Sequence, residues 1–139
     1  MIDVLDTENV IEKCFGEMEA ASLAKYDAEK AEKTASLFLL AQMKLSFLIE
    51  EVELKSRSLK NAISKVEGEV YFTYKTSSGE KKTEKMIEAH VAKDTSVSDI
   101  KQEAAKQEAA LKKWVYVMNT LKDGHVYFRN IGKAKTWAE

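Results

Sequence analysis

The sequence predicts an all-α, or nearly all-α, protein in which two long helices pack as an antiparallel, coiled-coil-like hairpin with short accessory helices. Three observations lead to this fold class. The chain has no proline and only five glycines among its 139 residues, so long uninterrupted helices are permitted. Apolar residues make up 45% of the chain, which is enough for one folded domain over residues 1–139. Two long segments carry apolar residues spaced alternately three and four apart, the period of packed helices.

The first two elements are a short helix and a long one. Residues 1–22 are predicted as a short N-terminal helix that begins near Thr7. Residues 24–67 are predicted as a long helix with Lys55 as the one charged interruption of its apolar seam, the line of residues that faces the partner helix. The members of this seam are Phe38, Ala41, Leu45, Leu48, Val52, Lys55, Leu59, Ala62 and Val66.

The predicted length of the second helix bears on assembly. A helix from Ala24 to Val66 would be about 64 Å long, whereas a compact globule of this chain length has a diameter of about 37 Å. The sequence leaves open an elongated hairpin and several copies that share one core. Further apolar residues outside the seam favour self-association: Leu37, Leu39, Leu40, Phe47 and Ile49.

Residues 68–82 are predicted to form the tip of the hairpin. Val70, Phe72 and Tyr74 alternate with more polar residues, and Thr76 to Gly79 has turn composition. This pattern is compatible with a small β-ribbon and with a loop, and the sequence does not decide between them.

Two helices are predicted after the tip. Thr83 is an N-cap candidate for a short helix over 83–93, and Ser96 with Asp99 resembles a capping box for a long helix over 96–138. Gly124 could end that helix as a C-cap, so a break near 124 is an alternative to one continuous helix. The seam of this helix is Ile100, Ala104, Gln107, Leu111, Trp114, Met118, Leu121, His125 and Phe128.

Composition and motifs argue against several classes of protein. No stretch approaches the roughly 18 apolar residues of a membrane span, and the start of the chain lacks a signal-peptide pattern, so we expect a cytoplasmic protein with no membrane association. The single cysteine, Cys14, cannot form an internal disulfide. His90 and His125 are far apart and no metal or phosphate-loop motif is present. We therefore expect no enzyme activity, no catalytic residue, no metal and no cofactor, and we expect His125 to be a packed, hydrogen-bonded residue of the seam.

The net charge of −1 hides an alternation of acidic and basic segments. Residues 1–54 carry 12 acidic and 5 basic side chains, whereas residues 55–86 carry 4 acidic and 8 basic ones. Basic segments of this kind are either ordinary solvated helix faces or anion-binding surfaces.

Aromatic residues among the cations favour a surface that binds single-stranded DNA, because bases stack on exposed rings and lysines neutralise the backbone. Two alternatives remain open at this point. Glu51 and Glu53 precede Lys55 and Arg57 by four residues, so intrahelical ion pairs could account for those cations. The tyrosines of the tip could equally form a small cluster that caps the hairpin. The predicted DNA-binding residues are Lys55, Arg57, Lys60, Tyr71, Tyr74, Lys75, Lys81, Lys82, Arg129 and Lys133.

Three segments resemble the UvsY family of tailed-phage recombination mediators. Leu54-Lys55-Ser56-Arg57 resembles the Leu-Lys-Ala-Arg motif that the family uses for single-stranded DNA, with serine in place of alanine. Residues 71–79 are similar to its tyrosine-glycine loop, although longer and poorer in glycine, and residues 120–138 to its closing amphipathic segment. The likeness covers roughly residues 20–139. Related uncharacterised helical phage proteins are the alternative relatives.

The resemblance implies a non-catalytic recombination mediator. Such a protein would bind single-stranded DNA, with Lys55 and Arg57 on the phosphates, and would help load a RecA-like recombinase onto strands covered by single-strand binding protein. It would be a homo-oligomeric ring of six or seven copies in the host cytoplasm. The alternative function is a helical structural or adaptor protein that binds a protein partner and no nucleic acid.

Overall fold

The computed structural model describes residues 3–21, 26–77, 79 and 81–138. Over these residues the chain forms four α-helices and no strand: α1 (Val4–Glu19), α2 (Ala28–Lys75), α3 (Glu84–Lys93) and α4 (Thr95–Ala138). The prediction of an all-α protein is confirmed. The chain packs as two compact units: unit 1 comprises Met1–Glu51 and Lys112–Glu139, and unit 2 comprises Val52–Leu111.

Helix α1 begins three residues before the predicted Thr7. Its N-cap is Asp3, whose carboxylate accepts a hydrogen bond from the backbone N–H of Asp6 at 3.0 Å, which satisfies one of the free N–H groups of the first turn. One face of the helix is buried in unit 1 and consists of Thr7, Val10, Ile11 and Cys14.

The core of unit 1 is centred on three aromatic rings. Phe128 packs against Tyr26 with ring centroids 5.1 Å apart and against Phe38 at 5.3 Å, and all three side chains are almost fully buried. On α2 and α4, Ala31 lies near Gly132, and Phe38, further along α2, lies near Gly124, which comes earlier on α4. The α2 and α4 segments of this unit therefore run antiparallel.

Gly124 lies inside the continuous helix α4, so the predicted alternative of a break near 124 is wrong. The glycine is needed for close packing rather than for a cap. A Cβ at this position would lie 2.2 Å from Cε1 of Phe38, far inside van der Waals contact. One residue further on, His125 donates a hydrogen bond from Nδ1 to the carbonyl oxygen of Ala35 at 3.1 Å, since a carbonyl can only accept. This confirms the expectation that His125 is a packed residue of the seam.

The core of unit 2 is smaller and is formed by Ser56, Ile87, Val97 and Ala104 among the residues that the structure describes there. Two ion pairs add to it: Lys60–Glu108 at 3.0 Å and Lys101–Glu67 at 2.9 Å. Their side chains are about half exposed, so each pair contributes at most about 1 kcal/mol.

Helix α2 continues to Lys75, so the predicted tip 68–82 starts too early and its first eight residues are helical rather than a β-ribbon. Two strands at the end of a hairpin are marginally stable by themselves, whereas extending an existing helix adds one hydrogen bond for each residue fixed. The period-two pattern also fits a helix here, because Val70 and Tyr74 are one turn apart and half-buried while Phe72 is exposed. Residues 78 and 80 of the predicted tip lie outside the described residues, as do residues 24 and 25 of the predicted long helix.

The two helices that follow differ in how well their starts were predicted. Thr83 is the N-cap of α3, accepting from the backbone N–H of Met86 at 3.3 Å, as predicted. Helix α4 begins at Thr95 rather than at 96, and its cap is Asp94 rather than a Ser96–Asp99 capping box, because the Asp94 carboxylate accepts from the backbone N–H of Val97 at 3.1 Å. None of the described helices is long and apolar enough to cross a membrane.

Candidate nucleic-acid interface

The ten predicted DNA-binding residues are divided between the two units. Eight belong to unit 2, whereas Arg129 and Lys133 belong to the α4 segment of unit 1. The two tyrosines and Lys82 are half-buried and the other seven side chains are exposed. The two units are therefore described as separate candidate surfaces.

Lys55 does not lie on the seam, contrary to the sequence prediction. Lys55 is exposed and its neighbour Ser56 is buried. The inward-facing positions step by four here, from buried Leu48 through half-buried Val52 to Ser56. This shift places a small hydroxyl in the core and leaves the lysine in water, which avoids the cost of burying an ammonium group without a partner. Lys55 is thus accessible to a ligand.

Tyr74 has both ring faces covered. His90 stacks on the ring in parallel, with centroids 3.9 Å apart and planes 5° apart. The Lys82 ammonium lies 4.4 Å from the centroid of the same ring, and because an ammonium cannot share a face with a ring stacked this closely, it covers the other one. Tyr74 therefore fastens α3 and the loop before it to α2, and no face remains on which a base could stack.

Tyr71 is also engaged within the protein. Its hydroxyl donates to Oε2 of Glu84 at 2.9 Å and lies 3.3 Å from Oε1, and this hydrogen bond, with burial and the nearby Glu84 and Glu88 charges, raises the pKa of Tyr71. Lys75 lies 5.8 Å from the ring centroid. Both tyrosines are thus engaged within unit 2, Tyr71 through Glu84 and Tyr74 through His90 and Lys82.

Lys82 is held by the end of α2. Its ammonium donates to the carbonyl oxygen of Tyr74 and to Oγ of Ser77, the latter at 2.8 Å. The last carbonyls of a helix have no partner within the helix and carry its negative dipole end, so a lysine here acts as a C-cap. The Lys82 ammonium is therefore hydrogen-bonded within the protein and is less accessible to a ligand than an exposed lysine.

The grooves on either side of these tyrosines are acidic. One pocket of about 340 Å³ is lined by Glu69 and Asp94 together with Tyr74 and His90. The pKa of Asp94 is lowered by the hydrogen bond from the Ser96 hydroxyl, by that from the Val97 backbone and by the charge of His90. A second pocket of about 500 Å³ is lined by Glu67, Glu84 and Glu88 and by Lys101, which is paired with Glu67. Carboxylates repel phosphates, so the acidic side chains make both grooves unfavourable for a nucleic acid.

The exposed face of α2 in unit 2 has the opposite character. Residues spaced three or four apart along one side of the helix carry cations and one large ring without a carboxylate between them. Phe72 is 67% exposed, and Arg57, Lys65 and Lys75 form no ion pair with any carboxylate that the structure describes. We term this surface the α2 strip: Arg57, Asn61, Ser64, Lys65, Gly68, Phe72 and Lys75.

Two of the four cationic or aromatic side chains of the α2 strip, Lys65 and Phe72, were not among the predicted DNA-binding residues. The signal that could have found them is the helical spacing from Arg57, since Lys65 is eight residues later and Phe72 fifteen. The expected change to a period of two after Gly68 hid this continuity.

Over the described residues no group of three or more histidine, cysteine or carboxylate side chains could hold a metal ion. Cys14 is fully buried, and burial together with the nearby Glu17 raises the pKa of its thiol to about 11, so at neutral pH it is neither accessible nor ionised.

Comparison with known proteins leaves the family open. No family model matches the chain, and neither a curated protein nor a solved structure matches it.

Proposed function

We propose that this protein is a non-catalytic single-stranded DNA-binding protein whose binding surface in unit 2 is the α2 strip. The observation that supports the proposal is the combination, on one helix face, of an exposed phenylalanine with three cations that form no ion pair with a carboxylate of the described residues. Phosphates would be bound by Arg57, Lys65 and Lys75, and a base would stack on Phe72, a contact that typically contributes about 1 to 3 kcal/mol. Lys55, which is exposed two residues before Arg57, adds to the positive potential, whereas the charge of Lys60 is paired with Glu108.

The charges around the strip indicate how a strand would be placed. Acidic side chains line the grooves beside Tyr71 and Tyr74, while the strip itself carries none. A strand would therefore follow the helix surface between Arg57 and Lys75, which is about 27 Å long. Such a surface reads no base edges, so binding would be largely independent of sequence.

The role that we propose for this binding is that of a recombination mediator, which rests on the resemblance to the UvsY family. In that role the protein would help load a RecA-like recombinase onto DNA covered by single-strand binding protein. The resemblance places Lys55 and Arg57 on phosphates, and both side chains are exposed. We also propose that α2 and α4 together form the antiparallel hairpin.

Self-association is part of the same proposal. In unit 1, α2 carries a second apolar stripe on its outer side, formed by Leu39, Leu40, Met43 and Phe47, each between 39% and 56% exposed. Spacings of three, four and eight residues are those by which helices pack, and a second copy of α2 carries the same spacing. We propose that copies of this chain meet at this stripe.

The test of DNA binding is a fluorescent single-stranded oligonucleotide titrated at two salt concentrations. Binding should weaken as the salt concentration rises. In a plot of log affinity against log salt concentration, the slope should be about −0.7 for each phosphate neutralised. Replacing Arg57 and Phe72 with alanine should weaken binding at least tenfold, and Lys55→Ala with Arg57→Ala tests the motif. Lys106→Ala, an exposed lysine of unit 2 outside the strip, is the matched control. Absence of binding at low salt, or no effect of either double variant, would reject the proposal.

The test of assembly is light scattering on the full chain. We expect an oligomer that dissociates when Met43→Glu places a charge in the stripe, while Ser58→Glu, at an exposed position of unit 2, leaves it intact. A strict monomer contradicts self-association. Nuclease-resistant capture of a protein partner without any DNA binding would instead favour the adaptor function.

A further inference from the structure

The solvent side of α4 in unit 1 carries cations and large rings at helical spacing. At 3.6 residues per turn these residues lie within about a third of the helix circumference. All of them are exposed. We term this surface the α4 face: Lys112, Tyr116, Asn119, Lys122, Lys133 and Trp137.

The charge of this segment is strongly one-sided. Residues 112–138 carry six lysine or arginine side chains and one carboxylate, Asp123. None of the six cations forms an ion pair with a carboxylate that the structure describes, so their positive potential is directed to solvent. A surface of this kind attracts a polyanion.

Two rings on the α4 face are unusually accessible. Tyr116 is 75% exposed and Trp137 is 87% exposed, and neither is stacked on another described ring. They are 21 residues apart, which corresponds to about 32 Å along the helix. Each ring offers a stacking face to a base, while the lysines between them are placed to contact the connecting backbone.

The same face is poorly suited to a lipid surface. A helix that lies in a membrane interface needs a continuous apolar face, but the middle of the α4 face is occupied by Asn119, Asp123 and Asn130, with Val126 as the apolar exception. Asparagine side chains are instead common ligands of phosphate and sugar groups. The polar centre favours a nucleic acid over a membrane.

We propose that the α4 face is a second, separate site for single-stranded nucleic acid, with Tyr116 and Trp137 stacking on bases and Lys122 and Lys133 contacting phosphates. The inference rests on the proposed function and extends it, since each chain would hold two segments of strand. Asp123 would repel phosphates locally, which directs the strand to the lysine side of the face.

The experiment follows Trp137 fluorescence in a Trp114→Phe background, so that the only tryptophan reports on the α4 face. A thymidine oligonucleotide of about eight nucleotides matches a short single-strand site. We expect it to quench Trp137 in a salt-dependent manner, with two oligonucleotides bound per chain. Quenching should persist in the Arg57→Ala, Phe72→Ala protein, in which the α2 strip is disabled.

Variants and a competing ligand complete the test. The double variant Tyr116→Ala, Lys122→Ala should lower the affinity measured by Trp137 quenching about 5- to 150-fold, whereas Lys106→Ala should leave the affinity unchanged. Circular dichroism should show the same helix content in all variants. One oligonucleotide per chain without quenching of Trp137 would overturn the second site and leave the α2 strip standing. Binding of no oligonucleotide would overturn both. A blue shift with anionic vesicles and no response to oligonucleotide would assign the face to a membrane and overturn the inference.

Discussion

Replacing Gly124 with alanine should destabilise the protein, although the same change normally stabilises a helix. Alanine is favoured over glycine inside a helix by about 1 kcal/mol. At Gly124, however, the new Cβ would lie 2.2 Å from Cε1 and 2.7 Å from Cδ1 of Phe38. That ring is fully buried and packed against Phe128, so it cannot turn aside without disturbing the core.

The size of the effect follows from these opposing terms. Overpacking of a core costs about 1 to 3 kcal/mol, and the short distance places this site at the upper end. After subtraction of the helix propensity, we expect a net loss of about 2 kcal/mol. This corresponds to a fall of roughly 8 °C in Tm for a chain of this length.

The controls are Gly16→Ala and Gly68→Ala. Both glycines lie inside helices, and a Cβ at either position would meet nothing within 4 Å. Both changes should therefore raise the unfolding free energy by up to about 1 kcal/mol. Urea unfolding followed by circular dichroism measures all three. A Gly124→Ala protein as stable as these controls would refute the close packing of Phe38, and a second change of Phe38→Leu should recover part of the loss.

Three further predictions concern other groups. Cys14 should stay unlabelled by a thiol reagent at pH 8 until the protein unfolds, and labelling of the native protein would contradict its burial. Because folding raises the pKa of the Cys14 thiol from 9.0 to about 11, its contribution to the free energy of unfolding should be present below pH 9 and lost as the pH rises through 11. Tyr26→Phe removes the hydrogen bond to Glu17 and should cost about 1 to 2 kcal/mol, while the ultraviolet titration should lose a phenol that ionises near pH 12; an unchanged titration would assign that phenol elsewhere. Phe72→Ala should weaken binding to DNA without changing stability, and Tyr74→Ala should do the reverse; loss of DNA binding on Tyr74→Ala at unchanged stability would show that the tyrosine is a base-stacking residue.

Much of the helical content could be predicted because it depends on local pattern. The seam from Phe38 to Leu48 and the cap at Thr83 both follow from spacing and side-chain chemistry within one or two turns. The same holds for His125, which was expected to be packed because it falls on the seam.

The sequence predictions fail where the packing is not determined by the local pattern. Gly124 has the local signature of a helix end, but the ring of Phe38, 86 positions earlier in the sequence, makes it a packing glycine. Ser56 is buried where a strict alternation of three and four places Lys55, a shift that the apolar spacing alone does not predict.

The candidate site depends on which aromatic rings are exposed. Cations and rings share the same segments of the sequence, but composition does not tell which rings are covered. Tyr74 is covered by His90 and Lys82, whereas Phe72, two residues earlier, is exposed. That difference depends on α3, which packs beside α2 only in the folded chain.

The burial of Cys14 makes the native sequence a ready background for site-specific probes. Because the only thiol is fully buried and un-ionised near neutral pH, a cysteine introduced on the surface can be labelled without first removing the native one. Ser64 on the α2 strip and Asn119 on the α4 face are both exposed. A dye at one or the other would report separately on each surface, in a protein whose core is otherwise unaltered.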